Sequence, residues 1–482
     1  MIEDLMRERR LKLERYRKSA DPYPAEVKRT ASVKEAVSAF SKLAKSNKIL
    51  WLAGRLGAVR AQGGIIFADL KDQNGQIQLI IKKGETDNFD ILKETLDIGD
   101  FTEVKGTLFK TKRGEKSILA KQARIIAKSL RPLPQNWYGL EDTETRLRKR
   151  YLDTIFNPEV KEMFVRKSVF WGAVRDFLKK ESFFEVETPV LEGLPGGAEA
   201  EPFKTHHNAL NRDFYLRISL ELPLKKMLVG GYEKVFEIGR IFRNEGIDAE
   251  HLQDYTHMEF YWAYANYRDL MKFLPKLFRV VIKKTFGTLK IKNQGREVDW
   301  GKPWKTYDYY ELFKKHAGLD LNGASDSELR KKADELDLKY EFSAGRGRLI
   351  DIIYKKTVRS KLLEPGFLVN PPVEIEPLAK RSAEDPRRVE RLQIMAYGTE
   401  LGKGFSELND PIDQRERFEA QMALRAKGDK EAQFLDEDFL EAMEYGMPPA
   451  AGFGMSERVF SVLMDKPIRE TVVFPLMRED KK

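Results

Sequence analysis

The residues best suited to chemistry lie in one hairpin-like stretch, residues 236–267. Two runs with period-2 patterning flank a polar loop, and they carry a guanidinium (Arg243), two carboxylates (Glu245 and Glu259) and an aromatic ring (Tyr255). Arginine binds phosphate through a fork of donors, and a carboxylate accepts hydrogen bonds from an amine. The set therefore suits a nucleotide and a cationic substrate. A purely structural ion pair, worth only ~0–1 kcal/mol on an exposed hairpin, explains the same residues and stays open here.

The second run of this hairpin alternates apolar and polar side chains, as a strand with two different faces does. The apolar set comprises Met258, Phe260, Trp262 and Tyr264, and the polar set comprises His257, Glu259 and Tyr261. We expect the apolar set to pack on a core and the polar set to project into a site on the open face of a sheet.

Composition limits the kinds of protein that could carry this hairpin. The 482 residues predict two to four domains at about 150 residues each. A hydrophobic share of 41% with 34% charged residues indicates a globular rather than a disordered chain. The net charge of +10 favours a polyanionic partner, although ordinary solvation accounts equally well for so small an excess.

Several site chemistries and locations are excluded or disfavoured. The chain has no cysteine, so it cannot form disulfides, thiolate nucleophiles or cysteine zinc sites. Its five histidines include no H-E-x-x-H pattern, which argues against a zinc hydrolase. Residues 1–20 are charged throughout and lack the apolar core of a signal peptide, and no run of 18 apolar residues occurs. We expect a cytoplasmic protein that does not enter a membrane.

Residues 49–130 form the first compact domain predicted by the pattern. Five β-rich segments occur there, separated by turns, with one short helical pattern near 88–96: residues 49–56, 63–70, 76–83, 100–110 and 115–127. Asn74-Gly75 is a strong hairpin signal between two of them. This arrangement favours a small OB-type barrel, a fold that often binds single-stranded nucleic acid by aromatic stacking. Phe67 is the candidate stacking residue, with core packing as its equal alternative, and Gln78 and Glu115 could read base edges.

The segment before the barrel, residues 1–48, reads as a helical extension. Residues 2–18 predict a charged helix in which basic residues cluster between Arg7 and Lys12. Such a cluster is either a solvated face or an arm that contacts RNA phosphates, and the sequence leaves both open. A second helix is predicted from Ser32, where Glu35 completes a capping box.

A linker and a larger α+β domain follow the barrel. Arg131-Pro-Leu-Pro134 opens a linker over 131–145, and the remaining domain covers 146–482. An amphipathic helix is predicted from 158 to about 180. A lysine-rich, mostly helical insertion is predicted at about 265–360, and strands return from about 366.

The hairpin resembles motif 2 of the class II aminoacyl-tRNA synthetases, and the whole chain, residues 1–482, resembles the lysyl-tRNA synthetases of that class. Many further stretches follow the same family in order. They are FFEVETPVL (183–191, similar to motif 1), PGGAEAEPFKTHHNAL (195–210), YLRISLEL (215–222), PVEIEPLAK (372–380), GFSELNDP (404–411), AGFGMSER (451–458, similar to motif 3) and VVFPLMR (472–478). Ordered agreement over this many segments is far more specific than a single motif.

The resemblance implies an architecture and a reaction. The architecture is an N-terminal OB-fold anticodon-binding barrel joined to an antiparallel sheet of six to seven strands flanked by helices. It also implies a homodimer with Pro189 at the interface. The reaction implied is ATP-dependent ligation of L-lysine to tRNA(Lys) through lysyl-adenylate, with Mg²⁺ bound to the phosphates.

Site residues are carried over from the resemblance motif by motif. Arg243 and Arg458 are matched to the catalytic arginines. The ATP-binding set is Arg243, Glu245, His251, Tyr255 and Arg458. The lysine-binding set is Gly197, Glu221, Glu259, Tyr261, Phe405 and Glu407. Glu400 and Glu407 match metal-binding acids, and Phe67, Gln78 and Glu115 match the anticodon face.

Three positions depart from the family pattern. Gln393 stands where the family usually has a metal-binding glutamate, and Lys403 stands where it has asparagine. Motif 3 is one residue shorter than usual before Arg458. The first two changes each add one positive charge near the phosphates, so we hypothesise that the Lys403 ammonium replaces one magnesium ion.

Other functions remain possible from the sequence alone. An aspartyl- or asparaginyl-tRNA synthetase shares the barrel and the core. The acids Glu221 and Glu407 argue against both enzymes, because an aspartate side chain needs a basic residue and an asparagine side chain needs a hydrogen-bond donor. A catalytically weak paralogue that acts as an RNA-binding or regulatory protein is suggested by the three departures. An enzyme that lysylates a protein would be expected to lack the N-terminal barrel, which is intact here.

Overall fold

The computed structural model describes residues 2–134, 142–246, 252–341, 344–429 and 432–479. The chain divides into two compact units, residues 1–138 and 139–482. Within the described ranges no helix is both long and apolar enough to cross a bilayer.

The first unit is a closed five-stranded barrel with strand order β1-β2-β3-β5-β4. Its elements are α1 (Ile2–Arg17), α2 (Val33–Ser38), α3 (Phe40–Lys45), β1 (Leu50–Gln62), β2 (Ile65–Lys71), β3 (Gln76–Lys82), α4 (Phe89–Thr95), β4 (Phe101–Lys110) and β5 (Lys116–Ala127). The strands and the short helix lie on the segments predicted from sequence. The OB-fold prediction is therefore confirmed.

The β2–β3 hairpin forms where Asn74-Gly75 predicted it, but an acid side chain organises its turn. Asp72 Oδ1 accepts from the backbone N–H groups of Asn74 (3.0 Å) and Gly75 (2.9 Å). A Cβ on Gly75 would lie 2.9 Å from the backbone nitrogen of Lys34, so close approach of α2 requires glycine there.

The helical extension packs on the barrel and uses part of its basic cluster to do so. Tyr16 is fully buried, and its hydroxyl accepts from the Ile125 backbone N–H at 2.9 Å. Arg9 donates to the Ser129 carbonyl at 2.7 Å, and Lys12 pairs with Asp97 at 2.8 Å. These contacts give two basic residues of the cluster a structural role. The Ser32–Glu35 capping box begins α2, as predicted.

The second unit contains the remaining helices and strands. Its helices are α5 (Thr143–Arg148), α6 (Arg150–Phe156), α7 (Pro158–Lys180), α8 (Glu221–Val229), α9 (Tyr267–Phe286), α10 (Tyr309–Ala317), α11 (Asp326–Glu335), α12 (Arg346–Thr357), α13 (Pro411–Ala426), α14 (Glu437–Glu444) and α15 (Arg458–Leu463), with 3₁₀ turns at Asn208–Leu210, Arg359–Lys361, Val373–Ile375 and Ile468–Thr471. Its strands are β6 (Phe184–Glu185), β7 (Leu191–Glu192), β8 (Lys204–His207), β9 (Arg212–Leu216), β10 (Lys234–Phe242), β11 (Asp254–Ala263), β12 (Lys290–Asn293), β13 (Arg296–Asp299), β14 (Lys305–Asp308), β15 (Gly366–Val369), β16 (Arg391–Ala396), β17 (Thr399–Ser406) and β18 (Ala450–Ser456).

The main sheet has the strand order β14-β15-β16-β17-β18-β11-β10-β6, counted over the described ranges. Its six central strands, β15 to β10 in that order, are antiparallel, as the resemblance implied. The edge strands β14 and β6 pair parallel with their neighbours, so the sheet is mixed and has more strands than the expected six to seven. The predicted helical insertion also contains β12, β13 and β14.

One face of the sheet packs on α7 and α9, and the opposite face carries the polar residues of the hairpin. Met258 and Phe260 belong to the core with α7 and α9, whereas Tyr261 packs in a different cluster on the other side. The predicted division of this strand into two faces is therefore confirmed. Tyr264 is the exception: β11 ends at Ala263, and Tyr264 is exposed with a φ of 63°.

Candidate active site

The sheet register places polar side chains in one row across four strands. Gln393 on β16 pairs with Lys403 on β17, Lys403 pairs with Gly454 on β18, and Gly454 pairs with Glu259 on β11. Paired residues of antiparallel strands point to the same side of a sheet. The row therefore faces the open side, opposite the core of α7 and α9.

A buried ammonium joins two of the acids predicted to bind lysine. The Nζ atom of Lys225, on α8, lies 2.5 Å from Glu221 Oε1 and 2.5 Å from Glu407 Oε2. The side chains of Lys225 and Glu407 are both 0% exposed. The ring of Phe405 lies 5.5 Å from the same ammonium. The structure thus brings Glu221, Phe405 and Glu407 together around a cation that the sequence analysis did not identify.

The pKa values in this cluster follow from one cation shared between two acids. Burial alone would lower the pKa of Lys225, but Glu221 and Glu407 outweigh it and raise that pKa. Burial raises the pKa of Glu221 to about 7 and also raises the pKa of Glu407, because one ammonium cannot offset the desolvation of two carboxylates. With both carboxylates ionised, one ammonium leaves one negative charge in the cluster, and the raised pKa values mean that the cluster takes up a proton unless a further cation neutralises that charge.

Glu407 packs closely against a glycine of the neighbouring strand. A Cβ on Gly452 would lie 2.3 Å from Glu407 Oε1 and 2.3 Å from the Tyr261 ring, so only glycine allows this approach. Oε2 of Glu407 is paired with Lys225, whereas the buried Oε1 has no hydrogen-bond partner among the described residues. Such a group costs free energy unless a donor reaches it, and a substrate ammonium can supply that donor.

Glu259 is held firmly by its surroundings. Its Oε1 atom accepts from the Ser219 hydroxyl at 2.7 Å and from the Leu220 backbone N–H at 3.0 Å. Its Oε2 atom accepts from the Tyr261 hydroxyl at 2.8 Å. His257 Nε2 lies 3.4 Å from Oε1. These contacts fix the carboxylate of Glu259 beside the acid cluster.

Gly197 joins the cluster through backbone conformation. Its φ of 81° favours glycine, and a Cβ there would lie 2.9 Å from the Cβ of Glu221 and 3.1 Å from that of Ser219. The structure therefore gathers all six residues predicted to bind lysine. They are Gly197, Glu221, Glu259, Tyr261, Phe405 and Glu407.

The residues predicted to bind ATP lie at the loop end of the hairpin. The Arg243 guanidinium lies 5.8 Å from the centre of the Tyr255 ring, and the Arg243 backbone N–H donates to the Gln253 carbonyl at 2.8 Å. Burial raises the pKa of the Tyr255 phenol. The charged groups that act on this phenol are Arg243, Glu245, Arg458 and Glu259. His251, also predicted for ATP, lies outside the described residues.

Arg458 follows a shortened motif 3 and begins helix α15. Its backbone N–H donates to the Ser456 hydroxyl at 3.2 Å, so Ser456 occupies the turn into the helix. The buried Glu457 next to it pairs with Lys167 of α7. These contacts anchor the start of α15, and with it Arg458, to the sheet and to α7.

The two acids matched to metal ligands have different neighbours. Glu400 and Glu407 are seven positions apart along and just beyond β17, which corresponds to about 20 Å in a strand. Glu400 Oε2 accepts from the Gln393 amide at 2.8 Å, and Glu407 is paired with Lys225. Over the ranges that the structure covers, no three acidic or imidazole side chains converge as a metal site. The assignment of Glu400 and Glu407 to metal binding stays a prediction.

The anticodon candidates share the outer side of the barrel. Phe67 is half-buried on β2 and lies outside the barrel core, so the core-packing alternative is wrong for it. Gln78 on β3 accepts from the Ser117 hydroxyl at 2.8 Å. Glu115 is exposed in the turn before β5. A half-exposed aromatic ring beside polar side chains is a surface on which a base can stack.

Four residues that the sequence analysis did not assign also shape the site. They are Lys225, Ser219, Glu376 and Arg391. Glu376 is buried between Arg391 (3.4 Å) and Lys403 (3.1 Å). The only sequence signal for Lys225 was its spacing of i+4 from Glu221 on a helix, which by itself predicts a surface ion pair.

Comparisons with known proteins agree with this geometry. The profile of the family described as tRNA synthetases class II (D, K and N) matches residues 142–478, and that of the OB-fold nucleic acid binding domain matches residues 50–126. The lysine–tRNA ligase of Moorella thermoacetica is 45% identical over 98% of this chain and 98% of its own length. Those of Pelotomaculum thermopropionicum and Carboxydothermus hydrogenoformans are each 44% identical over 99% of this chain, and over 95% and 98% of their own lengths.

Replacing the buried ammonium tests the cluster. Lys225→Met leaves Glu221 and Glu407 buried without a cation, so we expect a loss of about 3–5 kcal/mol in the free energy of unfolding in urea. Acids whose pKa is raised on folding destabilise the folded state only above their unfolded pKa. The loss should therefore be smaller at about pH 5.5 than at about pH 7.5.

The matched control is Lys272→Met, which removes an exposed lysine paired with Asp269 on α9. That change should cost less than about 1 kcal/mol. Equal urea midpoints for Lys225→Met and the wild type would contradict the assignment of Lys225 as the cation of the cluster.

Proposed function

Since this chain belongs to the class II tRNA synthetases (D, K and N), we propose that it ligates L-lysine to tRNA(Lys) at the expense of ATP. The observation that carries the proposal is the buried pocket of Glu221, Glu407 and Glu259, in which Lys225 is paired with both Glu221 and Glu407. Its net negative charge suits a substrate with an ammonium group.

The same pocket distinguishes lysine from the other two substrates of the family. An aspartate carboxylate would meet buried carboxylates of the same charge, and an asparagine amide would leave their charge unpaired. Either mismatch costs several kcal/mol in a site without water. The relatives that span almost the whole chain carry the lysine–tRNA ligase name, which supports the same choice.

In the first step, an oxygen of the lysine carboxylate attacks the α-phosphorus, and the bond from that phosphorus to pyrophosphate breaks. The protein contributes position and charge rather than a covalent intermediate. We assign Arg243 to the α-phosphate and the lysine carboxylate, Arg458 to the terminal phosphate, and Tyr255 to stacking on adenine. Glu245 accepts from the adenine amino group.

The substrate lysine lies with its two amino groups on different acids. Glu407 Oε1, which is buried without a hydrogen-bond partner among the described residues, accepts from the side-chain ammonium. Glu259, held by Ser219 and Tyr261, accepts from the α-amino group together with backbone near Gly197. With its two amino groups bound in this way, the substrate lysine has its own carboxylate at the Arg243 end of the site.

In the second step, a ribose hydroxyl at the end of tRNA attacks the lysyl carbonyl, and AMP leaves. We propose that the barrel holds the anticodon, with Phe67 stacked on a base and Gln78 and Glu115 at base edges. The half-exposed position of Phe67 supports this role. Because the reaction consumes ATP and tRNA, we place the enzyme in the cytoplasm.

Magnesium is proposed as the ion that accompanies ATP, since phosphates bind hard cations through oxygen. Of the two acids matched to metal ligands, only Glu400 lies near the row of Gln393 and Lys403. Bound to the phosphates, the ion would neutralise charge as pyrophosphate leaves.

We also propose a homodimer. The motif 1 stretch exposes a run of apolar side chains, and α7 exposes two more. They are Phe184, Pro189, Val190, Leu191 and Leu194, and Val165 and Val169. A run of this kind on a surface is typical of a protein interface.

Pyrophosphate exchange across the twenty amino acids, followed by charging of purified tRNA(Lys), tests the proposed function. We expect exchange with lysine and charging of tRNA(Lys). Exchange with aspartate or asparagine instead, or no exchange with any amino acid, would overturn the proposal.

Glu407→Gln tests the assignment of the side-chain pocket. Loss of a buried charge partner should raise KM for lysine at least thirtyfold (about 2 kcal/mol or more), with little change in KM for ATP. Glu441→Gln, at an exposed acid on α14, is the control. An unchanged lysine KM in Glu407→Gln would mean that this acid does not contact the substrate.

Phe67→Ala tests the anticodon surface. Removing one stacking ring should raise KM for tRNA about five- to a hundredfold, because a stacked base contributes about 1–3 kcal/mol. Lysine-dependent pyrophosphate exchange, which needs no tRNA, should stay at the wild-type rate. Equal tRNA-charging kinetics for Phe67→Ala and the wild type would mean that Phe67 does not contact tRNA.

Val190→Glu tests the dimer. A charge buried in an apolar interface is unfavourable, so light scattering should show a monomer of this variant and a dimer of the wild type. Tyr445→Glu, at an exposed ring beyond α14, should leave the mass unchanged. A dimeric Val190→Glu protein would place the interface elsewhere.

A further inference from the structure

Lys403 is a cation that faces the open side of the sheet. It lies in the polar row between Gln393 and Gly454, and its side chain is 42% exposed. Its Nζ atom is 3.1 Å from Glu376 Oε2. Neighbouring strands pair with the Lys403 backbone on both sides and fix its position, whereas the end of the side chain is partly exposed.

Glu376 pairs with two cations, Lys403 and Arg391. The carboxylate is buried and also pairs with the buried guanidinium of Arg391 at 3.4 Å. Burial alone would raise the pKa of Glu376, but the charges of Lys403 and Arg391 lower it, so the carboxylate is ionised. The Glu376 carboxylate is thus paired with two cations, and Lys403, the partly exposed one, presents a positive charge on the open face of the sheet.

The neighbouring acid is also engaged elsewhere. Glu400 Oε2 accepts from the Gln393 side-chain amide at 2.8 Å, and Gln393 itself is neutral. Together Lys403, Arg391, Glu376 and Glu400 carry no net charge. This is the opposite of the excess of acids that a divalent ion requires.

His257 and Arg243 are the other basic residues near Lys403 on the open face of the sheet. Burial and the positive charges of Arg243 and Lys403 lower the pKa of His257 to about 4 against the opposing effect of Glu259, so the ring is neutral near pH 7. A Cβ on Gly454 would lie 3.0 Å from His257 Nε2, so the absence of a side chain at Gly454, the sheet neighbour of Lys403, lets that ring pack closely against the strand. His257 Nδ1 is buried without a hydrogen-bond partner.

We propose that Lys403 binds the phosphate groups of the nucleotide opposite Arg243, and supplies positive charge that a second divalent ion would otherwise have to supply. This inference rests on the proposed function for the identity of the anion. Arg243 and Lys403 then lie on a strip with Gly454 and His257, and the carboxylate of the same row, Glu259, already accepts from Ser219, Leu220 and Tyr261.

Binding of a non-hydrolysable ATP analogue, measured by calorimetry with equimolar magnesium, tests the contact. Lys403→Met should weaken binding about ten- to a hundredfold, the loss expected for one charge-assisted contact. Lys403→Arg keeps the charge and should stay within about threefold of the wild type. Lys272→Met, at an exposed lysine paired with Asp269 on α9, is the matched control and should bind as the wild type does.

Magnesium dependence provides the second measurement. The wild type should reach full lysine-dependent exchange with magnesium equimolar to ATP, whereas Lys403→Met and Lys403→Asn should need an excess. A multi-ion requirement in the wild type that is unchanged in Lys403→Asn would overturn the substitution of lysine for an ion. Equal analogue affinity in the wild type and Lys403→Met would overturn the phosphate contact.

The two proposals fail in different ways. If the wild type exchanges lysine normally and Lys403→Met behaves identically, only the role of Lys403 fails. If the wild type binds the analogue through Lys403 but shows no lysine-dependent exchange, the proposed function fails and the phosphate contact stands. If the wild type binds no analogue, both are overturned. Thermal unfolding of each variant confirms that it is folded.

Discussion

The proposed substrate site of the second unit depends on the charge balance of one buried pocket. Two carboxylates, Glu221 and Glu407, share the ammonium of Lys225 without access to water. Such a group of three is costly to desolvate, and it is tolerated where the remaining charge serves a ligand. The negative charge that Lys225 leaves unpaired is therefore explained by the binding of a ligand rather than by the stability of the fold.

The sheet makes this pocket and the nucleotide site parts of one surface. Antiparallel register places Lys403, Gly454 and Glu259 side by side, and glycines at 452 and 454 let Glu407, Tyr261 and His257 pack closely against β18. The substrate carboxylate can then meet the nucleotide between the acid end and the Arg243 end. A rigid sheet suits a reaction whose acceleration comes from position and charge.

Local features were predictable from sequence because their causes are local. The Ser32–Glu35 capping box and the Asn74-Gly75 hairpin each depend on residues within a few positions of one another. The division of β11 into an apolar and a polar face follows from period 2 alone. Ordered motifs then identified residues for the site that lie far apart in sequence, such as Glu221 and Glu407.

The remaining features depend on long-range contacts that no local pattern encodes. Lys225 was not identified from the sequence, because its second partner, Glu407, is distant in the chain and lies beyond the end of β17. Matching motifs one at a time assigned Glu407 to substrate and metal binding, and it gave no sign that this acid pairs with the buried Lys225. The parallel edge strands were missed for the same reason, since pairing at a sheet edge is set by tertiary packing.

The central claim is that the pocket recognises the charge of the substrate side chain. Calorimetric titration of the wild type with L-lysine and with L-norleucine, which has a similar alkyl chain without the ammonium, tests it most directly. The account predicts that norleucine binds at least about a hundredfold more weakly, since it leaves buried carboxylates unpaired. Equal affinity for the two amino acids would contradict it.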